Sequence, residues 1–128
     1  MDAYESAIRH YTGIASQYDR SKEGLSAMRH LANCYLDQNR WMEAINTLGS
    51  ILEKYSSSEF LTVKDVDLMI KTINITTAYK LKDYDIAIRL YQGIITRNPG
   101  HPLKSYLYKV IDAFNQLKAK GIQVSDQK

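Results

Sequence analysis

The sequence predicts an all-α fold, an α-α superhelix of antiparallel helix hairpins with about six helices. A pattern of an aromatic residue, an Ala-Ile pair and two further large apolar residues occurs three times, starting at Tyr4, Trp41 and Tyr84. Its three- and four-residue steps mark one face of a helix, and its return after 37 and then 43 residues indicates a helical repeat. With only two prolines and six glycines, long stretches are free to be helical.

The first half of the chain predicts three helices. The first runs from about Asp2, which can cap its N-terminus, to about Tyr18, and Ser21 can cap a second over residues 22–38. The third covers about 41–55 and ends before a run of serines. We expect the first helix to bury Tyr4, Ala7, Ile8, Tyr11, Ile14 and Tyr18.

A fourth helix is predicted from between Ser58 and Thr62 to about Lys80, because Thr62 followed by Asp65 is a helix-start signal. Its apolar residues form two faces, one of Val66, Met69, Ile70 and Ile73 and one of Leu68, Ile75 and Tyr79. A helix that is apolar on two faces is expected to be contacted from both sides.

The last part of the chain predicts two further helices and a tail. The fifth helix covers about 83–97, and Pro102 opens a sixth that Gly121 closes. Residues 121–128 show no periodicity and are expected to be a disordered tail. The helical repeat domain is therefore expected to span residues 1–120.

The second and third helices resemble one tetratricopeptide repeat. The signature positions of the repeat are occupied by Met28, Leu31, Ala32, Tyr35, Ala44, Leu48 and Ile51. The chain departs from that pattern in having Ala32 for the usual glycine and Ser56 for the closing proline. Residues 69–100 resemble a second, irregular repeat, and the first and last helices resemble half-repeats. The resemblance implies a non-catalytic scaffold that binds other proteins.

Within that superfamily, the long repeats and their turns resemble a bacterial envelope subset. That subset includes the periplasmic coordinator of the Tol-Pal system and the lipoprotein of outer-membrane barrel assembly. The chain departs from their tyrosine-proline-x-serine turns, since Asp19 and Ser56 replace the prolines. The compartment stays open between the cytoplasm and the bacterial periplasm, and an exported protein would need a leader that these residues lack.

Helix periodicity predicts a protein-binding stripe on the concave side of the array, where a peptide or a helix of a partner could lie. The alternative is that these positions are only solvated. Too few basic and amide side chains occur on consecutive inner helices for the carboxylate clamp of heat-shock co-chaperones. The residues of the predicted stripe are Arg29, Asn33, Leu36, Asp37, Ile73, Thr77, Lys80, Tyr108 and Asp112.

Catalytic and metal sites are not expected. The three histidines lie on different helices or turns, without a second histidine or a cysteine at ligand spacing. Cys34 has no basic neighbour and does not lie at a helix N-terminus, so a structural thiol is a simpler interpretation than a nucleophile. We therefore expect no enzyme activity and no cofactor.

The distribution of charge supplies an alternative function. Residues 1–103 contain equal numbers of basic and acidic side chains, so the net charge of +3 comes from the last helix and the tail. A helical-repeat module that binds nucleic acid through the basic C-terminal helix is the alternative to protein binding. We also expect either that the chain belongs to a longer protein or that its uncapped end helices pair two copies as a homodimer.

Overall fold

A computed structural model describes residues 2–121, and within them every regular element is a helix. The α-helices are α1 Ala3–Gln17, α2 Lys22–Asp37, α3 Trp41–Tyr55, α4 Val63–Ile75, α5 Tyr84–Arg97 and α6 Lys104–Ala119. A π-helical turn, Thr76–Leu81, continues α4. The all-α prediction is confirmed, whereas the predicted tail lies, except for Gly121, outside the described residues.

The predicted capping residues start three of the helices. The Asp2 carboxylate accepts a hydrogen bond from the Glu5 amide at 2.8 Å, and the Ser21 hydroxyl accepts one from the Gly24 amide at 3.0 Å. Thr62 and Asp65 form a reciprocal pair, in which each side chain accepts from the other residue's amide at 3.1 Å. Because these bonds satisfy amides that a helix start leaves unpaired, they fix where each helix begins.

The sixth helix begins later than Pro102, the residue expected to open it. The His101 ring nitrogen Nδ1 lies 3.1 Å from the Leu103 amide and accepts its hydrogen bond. This contact holds the residues before Lys104 in a turn. The helix does end as predicted, with Gly121 at a φ of 69°, the left-handed conformation that glycine adopts without a steric cost.

The chain divides between Met69 and Ile70 into two compact units. In the first unit α2 contacts both α1 and α3. In the second unit α5 contacts α6 and the π-helical turn. The single repeat domain over residues 1–120 stays a prediction.

The core of the first unit is built around α3. A stripe on this helix is inaccessible to solvent or nearly so, with Ala44, Ile45, Leu48, Ile51 and Leu52 as its members. Burying five such side chains is the main favourable term in holding a hairpin of this size together. The facing residues of α2 are also buried, and they include Leu25, Met28, Leu31 and Ala32.

The first helix is less buried than its pattern predicts. No residue of α1 is fully buried. Of the six residues expected in the core, Ala7, Ile8, Tyr11 and Ile14 are half-buried, and Tyr4 and Tyr18 are exposed. The expectation was wrong because α2, the helix on which α1 packs, covers the apolar stripe of α1 only in part.

A buried tyrosine joins the end of α3 to the start of α2. The Tyr55 hydroxyl donates a hydrogen bond to the Ser21 carbonyl at 2.9 Å, and the side chain is 1% exposed. Gly24 makes this approach possible, because a Cβ at that position would lie 2.9 Å from the Tyr55 hydroxyl and would collide with the Tyr18 carbonyl. The hydrogen bond from Tyr55 to Ser21 therefore fixes the turn between α1 and α2.

The second unit repeats this arrangement around α5. A stripe with the same spacing as that of α3 is buried here and consists of Ala87, Ile88, Tyr91, Ile94 and Ile95. The Tyr91 hydroxyl donates to the side-chain oxygen of Asn74 at 2.6 Å. Burial raises the pKa of Tyr91 above its usual value, so the hydroxyl remains a donor over the whole physiological range.

We predict that Tyr55→Phe lowers the free energy of unfolding by about 1 kcal/mol, because the Ser21 carbonyl loses its buried donor while the packing volume is kept. Urea denaturation followed by circular dichroism measures the change. Tyr4→Phe is the matched control, since Tyr4 is exposed, and should leave the midpoint unchanged. Equal midpoints for Tyr55→Phe and wild type would mean that the hydrogen bond from Tyr55 to Ser21 does not stabilise the fold.

Candidate functional site

The second apolar face of α4 is exposed among the described residues. Leu68, Ile75 and Tyr79 are 62%, 58% and 55% accessible, whereas the opposite face with Ile70 is buried. The expectation that α4 is contacted on both sides was therefore wrong for this part of the chain. Exposed large apolar side chains on one helix face indicate a surface that a partner can cover.

The π-helical turn shapes one end of this face. The Lys82 amide donates to the Thr77 carbonyl five residues earlier, which is the hydrogen bond that defines a π-helix. Ala78 within this turn is buried, and the next residue, Tyr79, is exposed. The π-helical turn therefore places the buried Ala78 next to the exposed ring of Tyr79.

In the second unit the exposed face forms one wall of a groove, called here the apolar groove. That wall consists of Asn74, Ile75, Ala78 and Tyr79. The other wall belongs to α6 and consists of Tyr106, Lys109, Val110, Ala113, Phe114 and Leu117. The groove has a volume of about 620 Å³.

The chemistry of the apolar groove suits binding by contact area. Aliphatic and aromatic side chains make up most of its lining, and Lys109 is the one charged residue among those that line it. The Asn74 side chain is held by the hydrogen bond from Tyr91. A lining with few polar groups selects a partner by apolar shape and fixes its orientation through those few groups.

The first unit contains a second groove, called here the polar groove, of about 510 Å³. It lies along α2, where Ser26, Arg29 and Asn33 line it, and Glu59 and Phe60 of the loop between α3 and α4 also line it. Its mixture of amide, guanidinium, carboxylate and aromatic groups can hydrogen-bond a polar segment. The structure therefore brings Arg29 and Asn33, both predicted from the sequence, to one groove.

An ion pair positions Arg29 at the polar groove. Its guanidinium lies 3.5 Å from the Asp65 carboxylate, and the Arg29 side chain remains 41% exposed. The amide and hydroxyl of Thr62, with Arg29 nearby, hold the pKa of Asp65 below its ordinary value of 3.8. The capping carboxylate at the start of α4 thus also orients a candidate binding residue.

Two residues of the predicted stripe are core residues. Ile73 and Thr77 are both 0% exposed, so their side chains cannot contact a partner. The Thr77 hydroxyl donates to the Ile73 carbonyl at 2.7 Å, which satisfies this buried polar group within its own helix. The prediction took the wrong face of α4, because both faces of the helix are apolar and periodicity alone does not say which is buried.

The remaining predicted residues are accessible but do not line either groove. On α2, Leu36 is half-buried and Asp37 is exposed. In the second unit Lys80 and Tyr108 are exposed, and the exposed Asp112 accepts a hydrogen bond from Gln116 at 2.9 Å. Their role as contacts stays a prediction.

Sequence reasoning missed the residues that line the apolar groove. The signal that could have found them was the second apolar stripe on α4, to which Ile75 and Tyr79 belong. On α6, Tyr106 and Val110 directly precede the buried Leu107 and Ile111. Tyr106 is exposed and Val110 is half-buried, and neither was predicted as a contact residue.

The described residues contain little that suggests chemistry. Within residues 2–121 there is no group of three or more side chains that could hold a metal ion. Cys34 is a half-buried free thiol, and the His30 ring stacks on Tyr11 with centroids 4.9 Å apart. No helix in this range combines the length and apolar character needed to cross a membrane.

One hairpin of the first unit is similar to a known family. Residues 26–58 match the tetratricopeptide repeat family. The matched segment spans most of α2, all of α3 and the turn that follows, and it supports the resemblance to the tetratricopeptide repeat superfamily. The resemblance to the envelope subset is not tested by this match. No curated protein and no solved structure matches the chain with statistical significance.

We predict that Ile73→Ala lowers the free energy of unfolding by about 2–5 kcal/mol, because it leaves a cavity at a side chain that is 0% exposed. The matched control is Ile75→Ala, two residues away on the exposed face, which should change stability by about 0.5 kcal/mol or less. Chemical denaturation measures both variants. Similar losses for the two would mean that the buried face of α4 has been assigned wrongly.

We also predict an acid-dependent loss of stability that depends on Asp65. Its pKa is lower in the folded protein than the unfolded value of 3.8, so its contribution is fully present above that value and is lost as the pH falls through the lower folded pKa. Thermal unfolding between pH 7 and pH 2 should show a smaller loss for Asp65→Asn than for wild type. Parallel pH profiles would contradict the assignment.

Proposed function

We propose that the chain is a non-catalytic protein-interaction module that binds a peptide or a helix of a partner protein. The observation that carries this proposal is the apolar groove, in which Ile75, Tyr79 and Tyr106 remain exposed on helices whose opposite faces are buried. The match of residues 26–58 supports it as well, since tetratricopeptide repeats generally mediate contacts between proteins.

Two kinds of contact are available to such a partner. In the first unit the polar groove offers Arg29 and Asn33, and we assign Leu36 and Asp37 on the same helix as neighbouring contacts. In the second unit the apolar groove offers buried contact area, with Lys80, Tyr108 and Asp112 as further polar contacts. Each unit is proposed to bind by its own chemistry.

The resemblance to bacterial envelope proteins suggests a place in a larger assembly. The exposed residues of the two grooves would suit contacts with other members of such an assembly. A second route to assembly is association of two copies, which the half-buried apolar stripe of α1 supports.

Nucleic-acid binding is the second candidate function. Residues 70–121 contain nine basic and three acidic side chains, which is a stronger bias than the whole chain shows. Against it, the groove on this unit is lined by aliphatic and aromatic side chains with Lys109 as the one cation among its lining residues, where a nucleic-acid groove would present several cations to phosphates. The protein-binding function is therefore preferred.

Site-specific photo-cross-linking in cells that express the full chain tests the proposed function. A benzophenone amino acid at Asn33 or at Ile75 should give discrete cross-links to protein, because these positions lie in the two grooves. Asn46 and Gln92 are the matched controls, being exposed positions on α3 and α5 outside both grooves.

The outcome separates the two candidate functions. Protease-sensitive cross-links at the groove positions and none at the controls would support protein binding. Nuclease-sensitive cross-links alone would support the nucleic-acid alternative, and equal yields at all four positions would contradict a specific surface.

A further inference from the structure

We infer that the occupant of the apolar groove is an acidic amphipathic helix of a partner protein. This inference rests on the proposed function and specifies the chemistry of its partner. It depends on three features of the groove: its scarcity of groups that can hydrogen-bond a backbone, the spacing of its apolar residues, and the charge that surrounds it.

The scarcity of polar groups favours a helix over an extended peptide. An extended segment brings unpaired amides and carbonyls that need partners when they are buried. Apart from the Tyr79 and Tyr106 hydroxyls and the Lys109 ammonium, the lining offers one side-chain amide, that of Asn74, and the Tyr91 hydroxyl already donates to its oxygen. A helix satisfies its own backbone, so it can lie in such a groove without that cost.

The spacing of the apolar residues on the α6 wall also suits contact with a helix of a partner. Tyr106, Val110, Ala113 and Leu117 follow one another at steps of four, three and four residues, which places them along one helix face. From Tyr106 to Leu117 this wall extends for about 16 Å, or three helical turns. Ala78 and Ala113 are the small residues of the two walls, and they allow another helix to approach closely.

The aromatic side chains of the groove supply anchoring contacts. Tyr79 and Tyr106 lie on opposite walls and are 55% and 43% exposed. Tyrosine is among the residues that contribute most to interface energy, because it offers a large rigid area and a hydroxyl that can stay hydrated at the rim. A partner helix with apolar residues at i, i+3, i+4 and i+7 would bury both rings.

The charge around the groove selects an acidic helix. At 100° per residue, Lys109 and Lys120, the residue that caps the C-terminus of α6, lie within about 20° of each other, at the edge next to Ala113. Lys118 points elsewhere, since its ammonium pairs with Asp85 of α5. Carboxylates along one flank of a partner helix would therefore meet Lys109 and Lys120, within a unit that is basic as a whole.

Three synthetic peptides of about 14 residues test the inference by fluorescence anisotropy with the full chain. Each carries fluorescein. The first has leucines at i, i+3, i+4 and i+7 with glutamates on both flanks, the second has lysines in place of the glutamates, and the third has the first composition in scrambled order. We expect saturable binding of the first, at least about tenfold weaker binding of the second, and none of the third.

Matched variants then test whether the peptide binds in the apolar groove. Ile75→Glu should weaken the glutamate peptide at least about tenfold, whereas Leu68→Glu, an exposed position on the same helix outside the groove, should not. Lys109→Glu should weaken the glutamate peptide and strengthen the lysine peptide, whereas Lys104→Glu on the same helix should change neither. Circular dichroism checks that each variant keeps its helical content.

Equal affinities for the glutamate and lysine peptides, or a Leu68→Glu effect as large as that of Ile75→Glu, would overturn the inference. So would binding of a single-stranded oligouridine without binding of the glutamate peptide. A dimer in sedimentation that Ile75→Glu dissociates would show that a second copy covers the groove. If the cross-links at Ile75 are found but the glutamate peptide does not bind, the proposed function stands and the partner chemistry is wrong.

Discussion

In each unit one helix buries an apolar stripe that begins with an alanine, and the remaining structure depends on this burial. In α3 and in α5 an alanine is followed by large apolar residues one, four, seven and eight positions later, and nearly all of these side chains are withdrawn from water. Alanine at the first position is small enough for a neighbouring helix to approach, and the larger residues fill the space on either side. Because these two helices use their apolar faces for the core, the helices packed against them carry the accessible surfaces.

Those accessible surfaces differ between the units, and this difference guides the functional conclusion. The polar groove of the first unit combines an ion-paired arginine with an amide, whereas the apolar groove of the second combines two tyrosines with aliphatic side chains. The two units also differ in charge, since residues 2–69 contain seven basic and ten acidic side chains and residues 70–121 contain nine and three. A partner that binds both units would need two segments of different chemistry.

Much of the fold could be predicted from the sequence because its determinants are local. The capping residues Asp2, Ser21 and Thr62 act within three residues along the chain, and the resemblance of the second and third helices to a tetratricopeptide repeat agrees with the family match. The orientation of α4 could not be predicted in the same way. Its two apolar faces are equivalent by periodicity, and only tertiary packing buries Ile73 and exposes Ile75. Since the candidate site depends on that choice, part of it was assigned to the wrong face.

The most direct test of the central claim is hydrogen exchange of the native protein, because the same stripe occurs in α1, α3 and α5 but is buried only in the last two. We expect the slowest exchange in the amides of Ala44–Leu52 and Ala87–Ile95, and exchange in α1 that is faster by several orders of magnitude. Protection of α1 equal to that of α3, at a concentration at which the chain is monomeric, would contradict it.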